Sequence, residues 1–95
     1  MTSEKSITAA IQRYLKKIGG KVIKTHGTGF GQAGTPDLIG VLRGRSLALE
    51  VKRPGEDTTP LQKVELRKWA EAGAIAGRVE SVQEVKDLIK EIADV

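Results

Sequence analysis

The sequence contains no cysteine, a single histidine, His26, and one residue each of tryptophan, tyrosine and phenylalanine. Without cysteine, a disulfide framework and a thiolate zinc site are both excluded, and one imidazole cannot build a histidine-rich metal centre or a Cys-His pair. There is also no apolar run long enough for a signal peptide or a membrane span, so the cytoplasm is the expected compartment and no membrane partner is expected. Repeats and low-complexity tracts are likewise absent.

What is present fits one small globular domain covering residues 1–95, with 39% apolar residues and clear periodicity. Sixteen Lys+Arg oppose twelve Asp+Glu, for a formal charge of +4. That mild excess suits an anionic partner such as nucleic acid without identifying one.

Residues 3 to 18 place Ile7, Ala10, Ile11, Tyr14, Leu15 and Ile18 at the spacing of an amphipathic helix, opened near Ser3 and stopped by Gly19-Gly20. "KVIKTH" (21–26) reads as a short strand, and a glycine-rich loop follows as far as Pro36. Asp37–Leu42 and Ser46–Lys52 read as strands joined by a tight turn through Arg43-Gly44-Arg45. A second helix opens at Thr59, where Pro60 and Gln62 complete the pattern of a capping box, and Gly73 ends it. "AIAGRV" (74–79) is a fourth strand, and Ser81-Val82-Gln83-Glu84 opens a last helix. The predicted order is α-β-β-β-α-β-α, an α/β fold with a mixed four-stranded sheet flanked by helices.

The run Gly29-Phe30-Gly31-Gln32-Ala33-Gly34 matches the dinucleotide-binding pattern of glycines letter for letter. It is not that motif, because Thr35-Pro36 and a strand follow it where the pyrophosphate site needs the start of a helix. His26 reads as a polar strand-end residue, and Trp69 as a core or interface residue.

The hairpin "TPDLIGVLRGRSLALEVK" (35–52) carries charge where strand interiors disfavour it. With Gly44-Arg45 at the centre of the turn, Val41 pairs with Ala48, Ile39 with Glu50 and Asp37 with Lys52, so all three charged residues share one face. Asp37 then lies diagonally from Glu50, about 7–8 Å away, a gap that two side chains can close around a cation. Two carboxylates beside an ammonium suit a hard ion and metal-assisted phosphodiester hydrolysis. The alternative is an exposed sheet face with an Asp37–Lys52 ion pair of little energetic weight.

Pro36-Asp37, a gap of twelve residues and then Glu50-Val51-Lys52 form the PD-(D/E)XK nuclease signature. The longer run "GTPDLIGVLRGRSLALEVKRPGEDTTPLQ" resembles the VRR-NUC (virus-type replication-repair nuclease) domain, with Arg53-Pro54, Pro60 and Gln62 adding to the likeness, which extends from about Glu4 to Val85. The resemblance implies a restriction-endonuclease-like fold and a metal-dependent DNA endonuclease. Asp37, Glu50 and the Val51 backbone carbonyl would hold Mg²⁺ or Mn²⁺, and Lys52 would handle the nucleophilic water. Glu4 matches a glutamate on the first helix that completes the metal site in such nucleases, and Gln62 matches a glutamine at the start of the helix after the motif.

Both last residues have structural readings too. Glu4, three and seven residues before Ile7 and Ile11, falls on the inward stripe of its helix or serves as a first-turn anion. Gln62 is the third residue of a capping box. Lys24, Arg43, Arg45 and Arg53 flank the motif and are candidate phosphate contacts.

Compact stand-alone VRR-NUC proteins resemble Holliday-junction resolvases, which implies a homodimer acting on branched DNA. A flap or duplex nuclease module serving a helicase, and a catalytically silent DNA-binding module, are the alternatives.

Overall fold

The computed structural model describes residues 3–25 and 32–93. Its elements are α1 (Glu4–Lys17), β1 (Lys21–Lys24), β2 (Leu38–Leu42), β3 (Arg45–Val51), α2 (Pro60–Glu71), β4 (Ile75–Val79) and α3 (Val82–Ala93). This is the expected order, in an α/β fold. His26 and most of the glycine-rich run, Gly27 to Gly31, lie outside the described residues.

Each helix starts where its local chemistry directs. The Ser3 side chain accepts from the Ser6 N–H at the head of α1. Thr59 and Gln62 form a complete capping box on α2, with Pro60 just inside the helix. At α3 the Ser81 hydroxyl accepts from the Glu84 N–H, while the Glu84 carboxylate reaches back to the N–H of Glu80. Gly19, with φ of 93°, follows α1 in a left-handed conformation that glycine adopts at no steric cost.

The four strands lie in the order β1-β2-β3-β4, antiparallel except for the parallel β3–β4 pair that brackets α2. Alternation along the strands sends Leu38, Leu42, Leu47, Leu49, Val51, Ile75 and Val79 to one face, where they pack with Ile7, Ile11 and Leu15 of α1 and Val85 of α3. Gly40 has no alternative on this face, since a Cβ there would overlap the backbone of Lys21 and Val22. α2 packs on the other face and has no fully buried residue. None of the described helices is long and apolar enough to cross a membrane.

The pairing of β2 with β3 corrects the expected register. Leu38 pairs with Leu49, Ile39 with Ala48, Val41 with Ser46 and Leu42 with Arg45. The turn is therefore the two residues Arg43-Gly44, both with positive φ (50° and 81°), and Arg45 belongs to the strand. Every pair moves by two residues relative to a Gly44-Arg45 turn. A shift of two leaves each side chain on its face, so Asp37 and Glu50 still share one, but the next rung of the ladder sets Asp37 against Glu50 rather than Lys52.

Candidate metal centre

Asp37 sits one residue before β2, directly after Pro36, and Glu50 sits one residue before the end of β3. Pro36 suits the point where a strand begins, because it has no N–H to give to a ladder. At this end β2 and β3 cease regular pairing, and the Asp37 Oδ2 accepts the Val51 N–H at 3.0 Å. The carboxylate thus takes the place of a backbone acceptor at the mouth of the hairpin. In an extended strand a residue's N–H and C=O leave the same edge, so the Val51 carbonyl opens toward Asp37 as well.

Both acids are withdrawn from water, Asp37 being 7% and Glu50 2% exposed. One oxygen of Glu50 is satisfied, since Oε2 accepts from Gln62 Nε2 at 3.1 Å. The other, Oε1, is buried and has no hydrogen-bond donor among the described residues. Burial first, and then the negative charge of Asp37, push the Glu50 carboxyl up to about 8, while the Lys52 ammonium pulls in the opposite direction. A buried acceptor without a donor, beside a second carboxylate, is a donor set that a hard divalent cation satisfies, and Asp37, Glu50 and the Val51 carbonyl fit such an ion. Among the described residues, no three of His, Cys, Asp and Glu converge into a larger cluster.

Gln62 fills its expected capping role and also reaches Glu50. Its Oε1 accepts from the Thr59 N–H at 2.8 Å, closing the capping box, and its Nε2 is left to orient Glu50. The start of α2 is in this way tied to the acid. Lys52 continues the chain from β3, its backbone N–H held by the Val79 carbonyl at 3.0 Å.

Glu4 is placed differently from its expected inward stripe. It is exposed in the first turn of α1, and it lines with Lys5, Thr8, Lys24 and Asp37 an open pocket of about 280 Å³. Lys24 therefore borders Asp37. Arg43 and Arg45 do not flank them, because they stand at the opposite end of the hairpin, about 20 Å away by the rise of a strand. Arg45 donates there to the carbonyl of Gly73. Arg53 is at the correct end, but its guanidinium is paired with Glu56 at 3.0 Å.

The segment that follows Lys52 owes its shape to Arg78, a residue that sequence reading passed over. Arg78 Nε donates to the Glu56 carbonyl at 2.9 Å, and its Nη2 donates to the Arg53 carbonyl and pairs with Glu80 at 2.8 Å. An arginine inside the otherwise small and apolar run "AIAGRV" was the available signal.

No protein-family model and no curated protein matches the chain. Solved structures do, among them two described as VRR_NUC domains. One, described as "VRR_NUC domain", is 29% identical with a TM-score of 0.78 over 95% of this chain and 97% of that chain. The other, described as "VRR_NUC domain protein", is 23% identical with a TM-score of 0.75 over 98% of this chain and 89% of that one. The resemblance drawn from the motif is borne out by the fold of nearly the whole chain.

Proposed function

For a chain with the fold of a VRR_NUC domain, we propose the activity of a metal-dependent DNA endonuclease of the PD-(D/E)XK type. The carrying observation is the buried pair Asp37 and Glu50 at the open end of the hairpin, with Glu50 Oε1 left without a donor among the described residues. Mg²⁺ or Mn²⁺, when bound, supplies Lewis acidity toward the phosphoryl oxygen and lowers the pKa of water. Asp37, Glu50 and the Val51 carbonyl are the protein atoms that would hold it, and Gln62 fixes the orientation of Glu50.

Lys52 would orient the attacking water as an ammonium donor at Nζ, and only as the neutral amine would Nζ accept that water's proton. Lys24, on the rim of the pocket beside Asp37, is available to meet a phosphate of the bound strand. Glu4 on the same rim is a candidate third carboxylate.

Branched DNA is the favoured substrate and a homodimer the favoured assembly, on the ground that a two-fold substrate asks for a two-fold enzyme. The test incubates the protein with labelled four-way junction, flap and linear duplex, in Mg²⁺, Mn²⁺ or EDTA, beside Asp37→Ala. Metal-dependent cleavage that Asp37→Ala abolishes is expected. Cleavage in EDTA, or by Asp37→Ala, overturns the mechanism. Strong flap cleavage without junction cleavage, or a monomeric mass under activity conditions, overturns only the substrate and assembly.

A further inference from the structure

Asp37 lies just outside the regular pairing of β2 with β3, and the preceding Pro36 has no N–H with which to extend it. Something else must fix the backbone on which the Asp37 carboxylate is mounted. Thr25 is placed to do so. It is the residue after β1, opposite Asp37 on the next rung beyond the Lys24–Leu38 pair, and it is 5% exposed.

Its backbone N–H donates to the Asp37 carbonyl at 2.9 Å. Its hydroxyl Oγ1 donates to the Pro36 carbonyl at 2.8 Å and approaches the Asp37 carbonyl at 3.4 Å. The two carbonyls belong to the successive peptide planes that flank the Asp37 Cα. One residue therefore clamps both, and the direction of the Asp37 side chain toward the Val51 N–H follows from that clamp. A β-branched residue without a hydroxyl would serve the strand equally well, so the hydroxyl has a task beyond strand formation.

The geometry points to Thr25 as a positioning residue for the metal-binding carboxylate of Asp37, acting through the Pro36 carbonyl. This rests on the metal-nuclease reading. Removing the hydroxyl while keeping the shape of the side chain, as in Thr25→Val, frees the Pro36–Asp37 peptide and loosens the separation of Asp37 from Glu50. Thr25→Ser keeps the donor.

The experiment measures Mn²⁺ binding by calorimetric titration of the wild type, Thr25→Val and Thr25→Ser, and their cleavage rates as a function of Mn²⁺. For Thr25→Val the Mn²⁺ dissociation constant and half-saturating concentration rise about tenfold, the scale seen when the supports of metal ligands are removed. The cleavage rate at saturating Mn²⁺ falls less, and Thr25→Ser returns both binding values to within about threefold of the wild type. Unchanged Mn²⁺ binding in folded Thr25→Val, or a folded Thr25→Ser as impaired as Thr25→Val, overturns the inference.

Should Thr25→Val not fold, Thr25→Cys, with a weaker donor of similar size, takes its place, and wild-type Mn²⁺ binding by that variant overturns the inference. A wild-type chain that neither binds Mn²⁺ nor cleaves DNA overturns the metal-nuclease reading and this inference together. Mn²⁺-dependent cleavage that Thr25→Val leaves intact overturns the inference alone.

Discussion

On the face of the sheet that meets α1 and α3, Leu38, Leu42, Leu47, Leu49, Val51, Ile75 and Val79 are at most 4% exposed. On the other face the same strands present Ile23 and Val41, which are 41% and 48% exposed, with the buried Ala48 and the carboxylate of Glu50. α2 lies on that second face without one fully buried residue, and Leu61 and Val64 on it are exposed. The contrast separates two tasks. Apolar burial on the first face holds the fold, which leaves the second free to carry a buried acid that folding alone would not select.

The separation predicts that the two faces break in opposite ways. The largest effect belongs to the acids. Asp37→Asn and Glu50→Gln should each lower the single-turnover cleavage rate by at least about 10³-fold, since the metal's charge stabilisation is worth several kcal/mol. In EDTA above about pH 8, where Glu50 has released its proton beside Asp37, the same variants should melt at or above the wild-type temperature, because each removes one of two like charges from a buried site. A large fall in melting temperature would show that the second face also holds the fold.

Next in size is the first face. Leu49→Ala, at a position 1% exposed, should cost about 2–5 kcal/mol in urea unfolding, the transfer and cavity terms of a buried leucine. At low temperature and saturating Mn²⁺ its cleavage rate should remain near that of the wild type.

The raised Glu50 carboxyl gives a third, smaller effect with a definite sign. Folded Glu50 holds its proton up to about 8, whereas the unfolded chain releases it near 4.5. Between these values the folded state binds more protons than the unfolded one, so the stability of the metal-free protein falls as pH rises through that window. The loss should be no more than a few kcal/mol, should level off above about pH 8, and should be absent in Glu50→Gln. Urea unfolding in EDTA from pH 5 to 9 measures it. A stability that rises across the window would contradict the burial of Glu50.

These contrasts were partly legible in the sequence. The element order, the capping box of α2 and the shared face of Asp37 and Glu50 all follow from local patterns, because caps and alternation are local physics. The register was not. "RGR" admits a turn centred on Arg43-Gly44 or on Gly44-Arg45, and the observed turn holds Arg43 at φ 50°, a conformation that arginine does not advertise. Hence the expected pairing sets Asp37 against Lys52, whereas Arg43 and Arg45 stand at the turn in either register, a strand's length from the acids.

Thr25 escaped notice for a different reason. Its partner is a carbonyl eleven residues away in the chain, and no spacing rule announces a bond of that kind. Glu4 fell on the inward stripe by periodicity, yet it stands in the first turn of α1, where the helix is only beginning to bury its face.

The smallest prediction sets the two faces against each other with a single substitution. Val41→Thr and Val79→Thr each replace a methyl group by a hydroxyl at nearly constant volume. Val79 is 1% exposed within the core cluster, so its new hydroxyl would lie among aliphatic side chains, at a cost of about 1–3 kcal/mol. Val41 is 48% exposed on the bare half of the other face, where water can satisfy the hydroxyl, and the expected change is within about 0.5 kcal/mol. Urea unfolding of the two variants side by side gives the difference directly. A cost at Val41 approaching that at Val79, and growing with protein concentration, would mean that a second copy of the chain covers this half of the sheet in solution, since only a partner could remove Val41 from water.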